Sequence, residues 1–209
     1  MILKLYYNEE FSNSISKFTL KSIRNNSKSA LFLDRDGVLI KDVHYIDNPQ
    51  KVLLCKNVNK FLRVAREKGY NFVIVTNQSS VSRSIISYDK YKSITNKLLS
   101  LLPEDLYPEL ILSSFHLPNN ENNLPDFNWR KPGTGMIDYA IKWGNYEKSS
   151  SVIVGDKLTD LIAGYRSGIG RLIYKKSSLH LNESPLVKKW SIKNRIFYEE
   201  INELNTKVI

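Results

Sequence analysis

The chain has 209 residues, 25% of them charged and 42% hydrophobic, which suits one globular α/β domain. No apolar stretch is long enough to span a bilayer, and the first residues lack a signal-peptide pattern, so we expect a cytoplasmic protein. The single cysteine, Cys55, excludes an internal disulfide and fits a reducing compartment.

The net charge of +10 attracts anions but does not name one. Basic residues occur both before the central motifs, at residues 17–28, and after them, at residues 188–195. Nucleic-acid binding is the obvious rival interpretation, with the tyrosines as stacking residues. Because the chain has no zinc-finger spacing, RNP-like motif or sustained basic helix, we favour a solvated basic surface.

Strands and helices alternate along the chain after a polar N-terminal extension, residues 1–28, that offers one strand at most. The strands are predicted at residues 29–34, 71–76, 109–115, 151–154 and 171–174. Helices are predicted from Val58, after Asp89 as N-cap, around Met136 and from Leu158. This alternation predicts an α/β, doubly wound, Rossmann-like and mainly parallel sheet with helices on both faces. We expect one domain over residues 29–209, with its motifs at about 29–174.

Four short segments carry the chemistry, and three of them are apolar strands that end in polar residues. Residues 31–37 are LFLDRDG, residues 73–77 are VIVTN and residues 154–157 are VGDK, whereas residues 130–132 are RKP, before a turn and a helix. Ligands of an open α/β sheet bind beyond the carboxyl ends of its strands. The fold is therefore expected to gather three aspartates, a hydroxyl, an amide and a lysine around one crevice.

These residue types are those that move a phosphoryl group with magnesium. Asp34 can attack phosphorus and form an aspartyl-phosphate. Asp36, on the same side of an extended chain, can protonate the leaving oxygen and then deprotonate water. Thr76 and Lys131 can bond the phosphate oxygens. Mg²⁺ prefers oxygen ligands, and we expect it at Asp34, Asp36 and Asp156.

These motifs resemble those of the haloacid dehalogenase superfamily of phosphatases. Residues 34–38 match its first motif, residues 76–77 its second, Lys131 its third, and residues 155–156 with Asp160 its fourth. The narrower resemblance, over about residues 29–174, is to D-glycero-D-manno-heptose 1,7-bisphosphate phosphatases and related histidinol-phosphatase domains. A DxD pair alone is weak evidence, but four motifs in order are strong. Asp160 is either a further metal ligand or a structural residue.

The resemblance also implies which residues bind the substrate. Asp42, His44 and Tyr45 lie where these phosphatases carry a substrate-facing flap after the first strand; the alternative is that His44 and Tyr45 pack that flap against the sheet. Arg130 and Lys157 stand at family positions that suit a second phosphate. The other candidates follow Thr76 and are Asn77, Gln78 and Ser79. Ser80, which stands in place of the family's glycine, leaves this rim in doubt.

The function that these motifs and the resemblance predict is Mg²⁺-dependent hydrolysis of a sugar phosphate. The specific expectation is conversion of D-glycero-D-manno-heptose 1,7-bisphosphate to heptose 1-phosphate, in the synthesis of surface-polysaccharide (lipopolysaccharide) precursors. Three alternatives stay open: a histidinol-phosphate or other sugar-phosphate phosphatase, a DNA 3′-phosphatase, and a non-catalytic binding module. The basic net charge favours the DNA 3′-phosphatase, although the chain has no Walker-type kinase motif. We expect a monomer that binds neither a membrane nor nucleic acid.

The resembling phosphatases hold a structural zinc in the loop before residues 130–132, by a Cys-x-His pair and a Cys-x-Cys pair. In this chain Ser114 and His116 stand at the first pair, and Phe127 and Trp129 at the second. A structural zinc site normally needs four nitrogen or sulfur ligands. We therefore expect no zinc, and we expect Phe115, Phe127 and Trp129 to close this loop by apolar contact.

Overall fold

A computed structural model describes residues 6–12, 14–20, 26–43, 45–118 and 128–209 of the chain. Within these residues, eight strands form one sheet in the order β1-β2-β5-β4-β3-β6-β7-β8. The six strands from β5 to β8 are parallel to one another, and β1 and β2 are antiparallel to their neighbours. The strands are β1 Tyr6–Ser12, β2 Ile15–Leu20, β3 Ala30–Leu33, β4 Asn71–Asn77, β5 Leu110–Ser114, β6 Val152–Gly155, β7 Arg171–Lys175 and β8 Glu199–Ile201.

Helices connect the parallel strands and cover the sheet. None of the helices in the described part of the chain is both long and apolar enough to cross a membrane. The α-helices are α1 Val58–Glu67, α2 Ser79–Ser82, α3 Tyr88–Ser100, α4 Gly135–Gly144, α5 Leu158–Arg166 and α6 Glu183–Asn194, and short 3₁₀ helices occur at Pro49–Lys51, Glu104–Leu106 and Thr206–Val208.

The core consists of two apolar layers, one on each face of the sheet. Side chains alternate between the faces of a strand, so Leu31 and Leu33 of β3 pack into one layer with α1 and α3. Phe32, which lies between them, packs into the other layer with α4, α5 and α6. All four residues of β3 are buried, which explains its unbroken apolar sequence. The predicted doubly wound, mainly parallel fold is confirmed.

The five strands and four helices predicted between residues 29 and 174 are all present, but the start of α3 was placed wrongly. The N-cap is Ser87, not Asp89. Ser87 has an extended backbone, and its hydroxyl oxygen accepts a hydrogen bond of 3.1 Å from the amide of Lys90 in the first turn of the helix. Asp89 lies inside the first turn, where its charge favours the helix dipole instead.

Near the ends of the chain, the sequence predicted at most one strand before residue 29 and no element after residue 174. The described part of residues 1–28 forms the hairpin β1-β2, and β2 pairs along β5, so this segment extends the central sheet. Phe18 is fully buried there. After β7 the chain makes an excursion, residues 176–198, that contains α6, and it then returns as β8.

A small flap, residues 35–54, follows β3, as predicted. The amides of Leu39 and Ile40 both donate to the carbonyl of Arg35 and close a tight turn. Ile40 then bridges Leu54 in the antiparallel direction. The flap therefore begins and ends beside β3 and covers the carboxyl edge of the sheet, where β3, β4 and β6 end in polar residues.

Candidate active site

Asp34 is the first residue beyond β3, and its backbone is tied to the neighbouring strand. Its amide donates to the carbonyl of Val154 in β6 at 3.0 Å. The residue as a whole is only 6% exposed. A carboxylate so placed is held at the sheet edge and is largely shielded from water, so its charge must be balanced by nearby groups.

That balance comes from Lys131, whose ammonium group is buried among oxygen atoms. Its Nζ lies 3.0 Å from Asp34 Oδ1 and 2.5 Å from Asp160 Oδ1, and it donates to the carbonyl of Val75 at 2.7 Å. Burial alone would lower the pKa of Lys131, but the Asp160 and Asp34 carboxylates raise it above its ordinary value. The lysine is therefore a fixed positive charge.

Asn77 holds the backbone of Lys131 from the end of β4. Its amide nitrogen donates to the Lys131 carbonyl at 3.0 Å, and its amide oxygen accepts from the Lys131 N–H at 3.1 Å. These reciprocal bonds fix the loop that carries the lysine, although the loop comes from a distant part of the chain.

Asp156, directly after β6, is fully buried. No described residue donates a hydrogen bond to either of its carboxylate oxygens. Burial raises the pKa of Asp156 well above its ordinary value, and the charges of Asp34 and Asp160 raise it further. A buried carboxylate without a donor is costly unless a cation accompanies it.

The surroundings of Asp156 fit a divalent cation. Carboxylate oxygens of Asp34, Asp156 and Asp160 all lie within 4.8 Å of one another. Asp160 is already engaged on both oxygens, since one meets Lys131 and the other accepts from the Lys157 amide at 3.0 Å. The oxygens that are left for a hard cation such as Mg²⁺ are those of Asp34 and Asp156.

Asp36 lies outside this carboxylate group, because its side chain is bound by two neighbours. Arg35 Nη2 donates to Asp36 Oδ2 at 2.9 Å and to Gln78 Oε1 at 2.8 Å. Gln78 Nε2 in turn donates to Asp36 Oδ2 at 2.5 Å and to the Thr76 hydroxyl at 2.9 Å. The geometry thus places the Asp36 side chain beside Thr76, a position suited to proton transfer, and its predicted part in the metal site stays a prediction.

A cavity of about 320 Å³ opens beside these groups, between the flap, the end of β4 and the start of α5. Its size fits a small metabolite. The lining is polar and rich in charged side chains. It comprises Arg35, Asp36, Asp42, Tyr45, Ile46, Asn77, Gln78, Ser79, Ser80, Arg130, Lys157, Thr159 and His180.

Two of the lining cations stand in different electrostatic surroundings. Arg130 donates to the carbonyl of His116 at 3.0 Å, and burial, followed by the charge of Arg83, lowers its pKa. Burial would also lower the pKa of Lys157, but nearby aspartates, Asp156 foremost, raise it above the ordinary value. Lys157 is therefore held charged at the mouth of the carboxylate group.

Comparison with known proteins gives the family. The family described as polynucleotide kinase 3 phosphatase matches residues 29–168, more than half of the chain. The D-glycero-alpha-D-manno-heptose-1,7-bisphosphate 7-phosphatase of Photorhabdus laumondii is 33% identical over 160 residues, which cover 74% of this chain and 86% of that protein. This chain belongs to the haloacid dehalogenase-type phosphatases. The D-glycero-beta-D-manno-heptose-1,7-bisphosphate 7-phosphatase of Haemophilus ducreyi is also similar, at 34% over 146 residues, 68% of this chain and 80% of that protein.

Solved structures share the fold of this phosphatase. A haloacid dehalogenase-like phosphatase from Mesorhizobium loti superposes with a TM-score of 0.70 at 26% identity, covering 80% of this chain and 82% of that one. The D,D-heptose 1,7-bisphosphate phosphatase from B. bronchiseptica, complexed with magnesium and phosphate, has a TM-score of 0.66 at 18% identity, covering 86% and 95%.

The structure brings most of the predicted site residues of the phosphatase to one place. The four motifs meet at the carboxyl edge of the sheet, and the predicted substrate residues line the cavity, apart from His44, which lies outside the described residues. Sequence reasoning missed Arg35 and His180. Arg35 stands between two motif aspartates, and this could have singled it out. His180 lies far from every motif, and no sequence pattern marks it.

At the loop that carries zinc in the resembling family, the contacts described are those at its two ends, residues 114–118 and 128–129. Phe115 is buried and packs edge-on against Tyr91, and Trp129 donates from its indole nitrogen to the carbonyl of Ser113 at 3.1 Å. His116 lies 3.1 Å from the Ser114 hydroxyl. Phe127, also predicted to close the loop, lies outside the described residues.

Gly37 is expected to be essential to the metal site, because a Cβ there would lie 2.0 Å from Asp156 Oδ2. We expect Gly37→Ala to lower Mg²⁺ affinity by about 10–100-fold, as measured by titration calorimetry. Gly168→Ala is the matched control: Gly168 also has a positive φ, +76° against +81°, but its Cβ would meet only Lys148 Cδ, at 3.7 Å. Both variants should lose about 1–2 kcal/mol of stability from the backbone alone. Unchanged Mg²⁺ affinity in Gly37→Ala would contradict the expectation.

The absence of zinc remains a prediction. Elemental analysis of protein purified without added metal should find no stoichiometric zinc, because His116 is the one nitrogen or sulfur ligand among the matched positions. Chelation should remove activity only until Mg²⁺ is restored. One tightly held zinc per chain that is lost in His116→Ala would overturn this prediction.

Proposed function

We propose that this phosphatase hydrolyses D-glycero-D-manno-heptose 1,7-bisphosphate at the 7-phosphate, with Mg²⁺. The observation that carries the proposal is its likeness to two relatives of that name, at 33% and 34% identity over 74% and 68% of the chain. The cavity supports it, since a volume of about 320 Å³ with several lining cations suits a small molecule that bears two phosphates.

In the proposed first step, an Asp34 oxygen attacks phosphorus and the bond from phosphorus to the sugar oxygen breaks. Asp36, protonated at that stage, gives its proton to the leaving sugar oxygen. Lys131 and Thr76 supply positive charge and a hydrogen-bond donor to the transferring phosphoryl group. Mg²⁺ held by Asp34 and Asp156 would add positive charge against the phosphate oxygens.

In the proposed second step, water attacks the phosphorus of the aspartyl-phosphate. Asp36, now ionised, takes a proton from that water, and the bond between phosphorus and the Asp34 oxygen breaks. Phosphate leaves, and both carboxyl groups return to their starting protonation states. Arg35 and Gln78 support this role, because both hydrogen-bond the Asp36 carboxylate and so hold it in place for both proton transfers.

The second phosphate of the substrate is assigned to the cationic walls of the cavity. Arg130 and Lys157 both line it. A guanidinium can bond two phosphate oxygens at once. Because Arg130 is anchored through the His116 carbonyl, its orientation is largely set before the substrate arrives.

A polynucleotide 3′-phosphatase is the second candidate, favoured by the family description that matches residues 29–168 and by the net charge of +10. The flap argues against it. Tyr45 and Ile46 of the flap line the cavity and take up part of the space beside the motifs, so that a volume of about 320 Å³ is left.

A substrate panel tests the proposal directly. With Mg²⁺ present, we expect kcat/KM to be highest for one anomer of D-glycero-D-manno-heptose 1,7-bisphosphate, because only this substrate fills both anion positions. Histidinol phosphate and a 3′-phosphorylated oligonucleotide should be hydrolysed at least about tenfold less well, the equivalent of one lost charged hydrogen bond. A clearly higher kcat/KM for the oligonucleotide would contradict the proposal and favour the polynucleotide 3′-phosphatase instead.

Substitution of Asp34 and substitution of Asp36 should impair catalysis in different ways. Asp34→Asn should abolish turnover and the covalent intermediate together, because the nucleophile is lost. Asp36→Asn should leave Mg²⁺ and phosphate binding nearly unchanged and slow turnover by about 10²–10⁴-fold, the usual contribution of general acid–base catalysis. Rapid-quench detection of an acid-stable, hydroxylamine-sensitive phosphoprotein distinguishes the two variants, because Asp34→Asn cannot form it.

Asp105→Asn is the matched control for these variants, since Asp105 is exposed and pairs with Arg63 at 3.2 Å, away from the cavity. It should keep wild-type turnover. Near-native turnover in Asp34→Asn would refute the aspartyl-phosphate mechanism.

A further inference from the structure

His180 reaches the active-site cavity from the excursion between β7 and β8. Its Nε2 lies 2.7 Å from Asp42 Oδ2 on the flap. The Asp42 side chain is 6% exposed and that of His180 is 22% exposed, so the pair is shielded but the imidazole is not sealed off. Both residues line the cavity.

The segment that carries His180 is fixed by several bonds. The amide of Glu183 donates to the His180 carbonyl at 3.0 Å, and the amide of His180 donates to the Ser177 carbonyl at 3.3 Å. Glu183 also accepts a bond of 2.7 Å from the amide of Leu158, the first residue of α5. The excursion is thereby attached to the same helix start that presents Lys157 to the cavity.

The position of His180 is close to the reacting groups. Ligand atoms of Asp42, Asp156 and His180 all lie within 4.8 Å of one another. His180 therefore lies beside Asp156, one of the two carboxylates left for a cation, on the flap side of the cavity.

The pairing with Asp42 decides what the imidazole can offer. A carboxylate only accepts hydrogen bonds, so the Nε2 that faces it carries the hydrogen. The other ring nitrogen, Nδ1, is then left for a hydroxyl group, which can both donate and accept a hydrogen bond. The cationic groups of the cavity suit phosphate oxygens, whereas the remaining imidazole nitrogen suits a sugar hydroxyl.

His180 lies outside the family match, which ends at residue 168. It belongs to the excursion that sequence reasoning did not resolve into elements. A determinant placed there would stand apart from the four motifs.

We propose that His180, oriented by Asp42, is a specificity-determining residue that hydrogen-bonds a hydroxyl group of the sugar and so selects a polyhydroxylated phosphate ester. This inference rests on the proposed function. It deepens that function by assigning recognition of the sugar, rather than of either phosphate, to a residue outside the motifs.

The test compares two substrates in two variants of His180. Heptose 1,7-bisphosphate carries sugar hydroxyls, whereas p-nitrophenyl phosphate undergoes the same phosphoryl transfer without them. His180→Gln places a polar group near the Nε2 position and can keep the bond to Asp42, but it has no hydrogen-bonding atom at the Nδ1 position. His180→Ala removes both. Leu181→Ala is the control, because Leu181 is the adjacent residue and 76% exposed.

We expect both His180 variants to raise KM for heptose bisphosphate by about 5–10-fold, the value of one neutral hydrogen bond, with kcat nearly unchanged. The kcat/KM for p-nitrophenyl phosphate should stay within about twofold of wild type, and Leu181→Ala should resemble wild type on both substrates. Thermal melting checks that each variant is folded.

Three outcomes would overturn the role of His180. Equal losses on both substrates would make it a structural residue. Wild-type kinetics in His180→Gln with a loss only in His180→Ala would make it a latch that holds the flap. Wild-type kinetics in both variants would leave it no role in recognition. If the wild-type enzyme hydrolyses p-nitrophenyl phosphate but not heptose bisphosphate, the proposed function itself fails, and that result is distinct from the other three.

Discussion

The rest of the site depends on one buried positive charge, the ammonium of Lys131. Three aspartates converge at the carboxyl edge of the sheet, where each would repel the others in a region that water hardly reaches. Lys131 contacts two of them, Asp34 and Asp160, and its remaining bond goes to the Val75 carbonyl. Removing one partner from such a group leaves an uncompensated buried charge, which typically costs about 3–5 kcal/mol. Although Lys131 lies in a loop, these contacts fix the position of its side chain.

Lys131 compensates Asp34 and Asp160 but does not contact Asp156. The carboxylate of Asp156 is fully buried, its oxygens have no donor among the described residues, and its raised pKa reflects that isolation. The turn after β3 is shaped around it, since only a glycine at position 37 leaves space for its Oδ2. The space that Gly37 leaves thus allows Asp156 to stay near Asp34, where oxygens of the two carboxylates would form a pair for a cation.

Two segments outside the motifs complete the molecule. The N-terminal hairpin extends the sheet at β5, next to the strand that leads into the loop of Arg130 and Lys131. The excursion after β7 reaches the flap through His180 and the start of α5 through Glu183. The excursion contributes His180 to the wall of the cavity, whereas the described part of the hairpin contributes no lining residue. Differences between relatives that share the chemistry are expected in such walls, because loops can change without disturbing the sheet.

The sequence by itself determined the fold class and the motif residues. Strands such as β3 and β4 are buried on both faces, so their apolar runs are unambiguous, and polar residues at their ends must meet at one edge. The tertiary structure decided what depends on contacts between distant segments. The sequence predicted Asp36 as an acid, a base and a metal ligand, and only folding shows that Arg35 and Gln78 bind its side chain. Asp160 could be ligand or support, and Lys131 with the Lys157 amide engages both of its oxygens. No sequence pattern marks His180, because its partner Asp42 is 138 residues away in the sequence and only folding brings the two together.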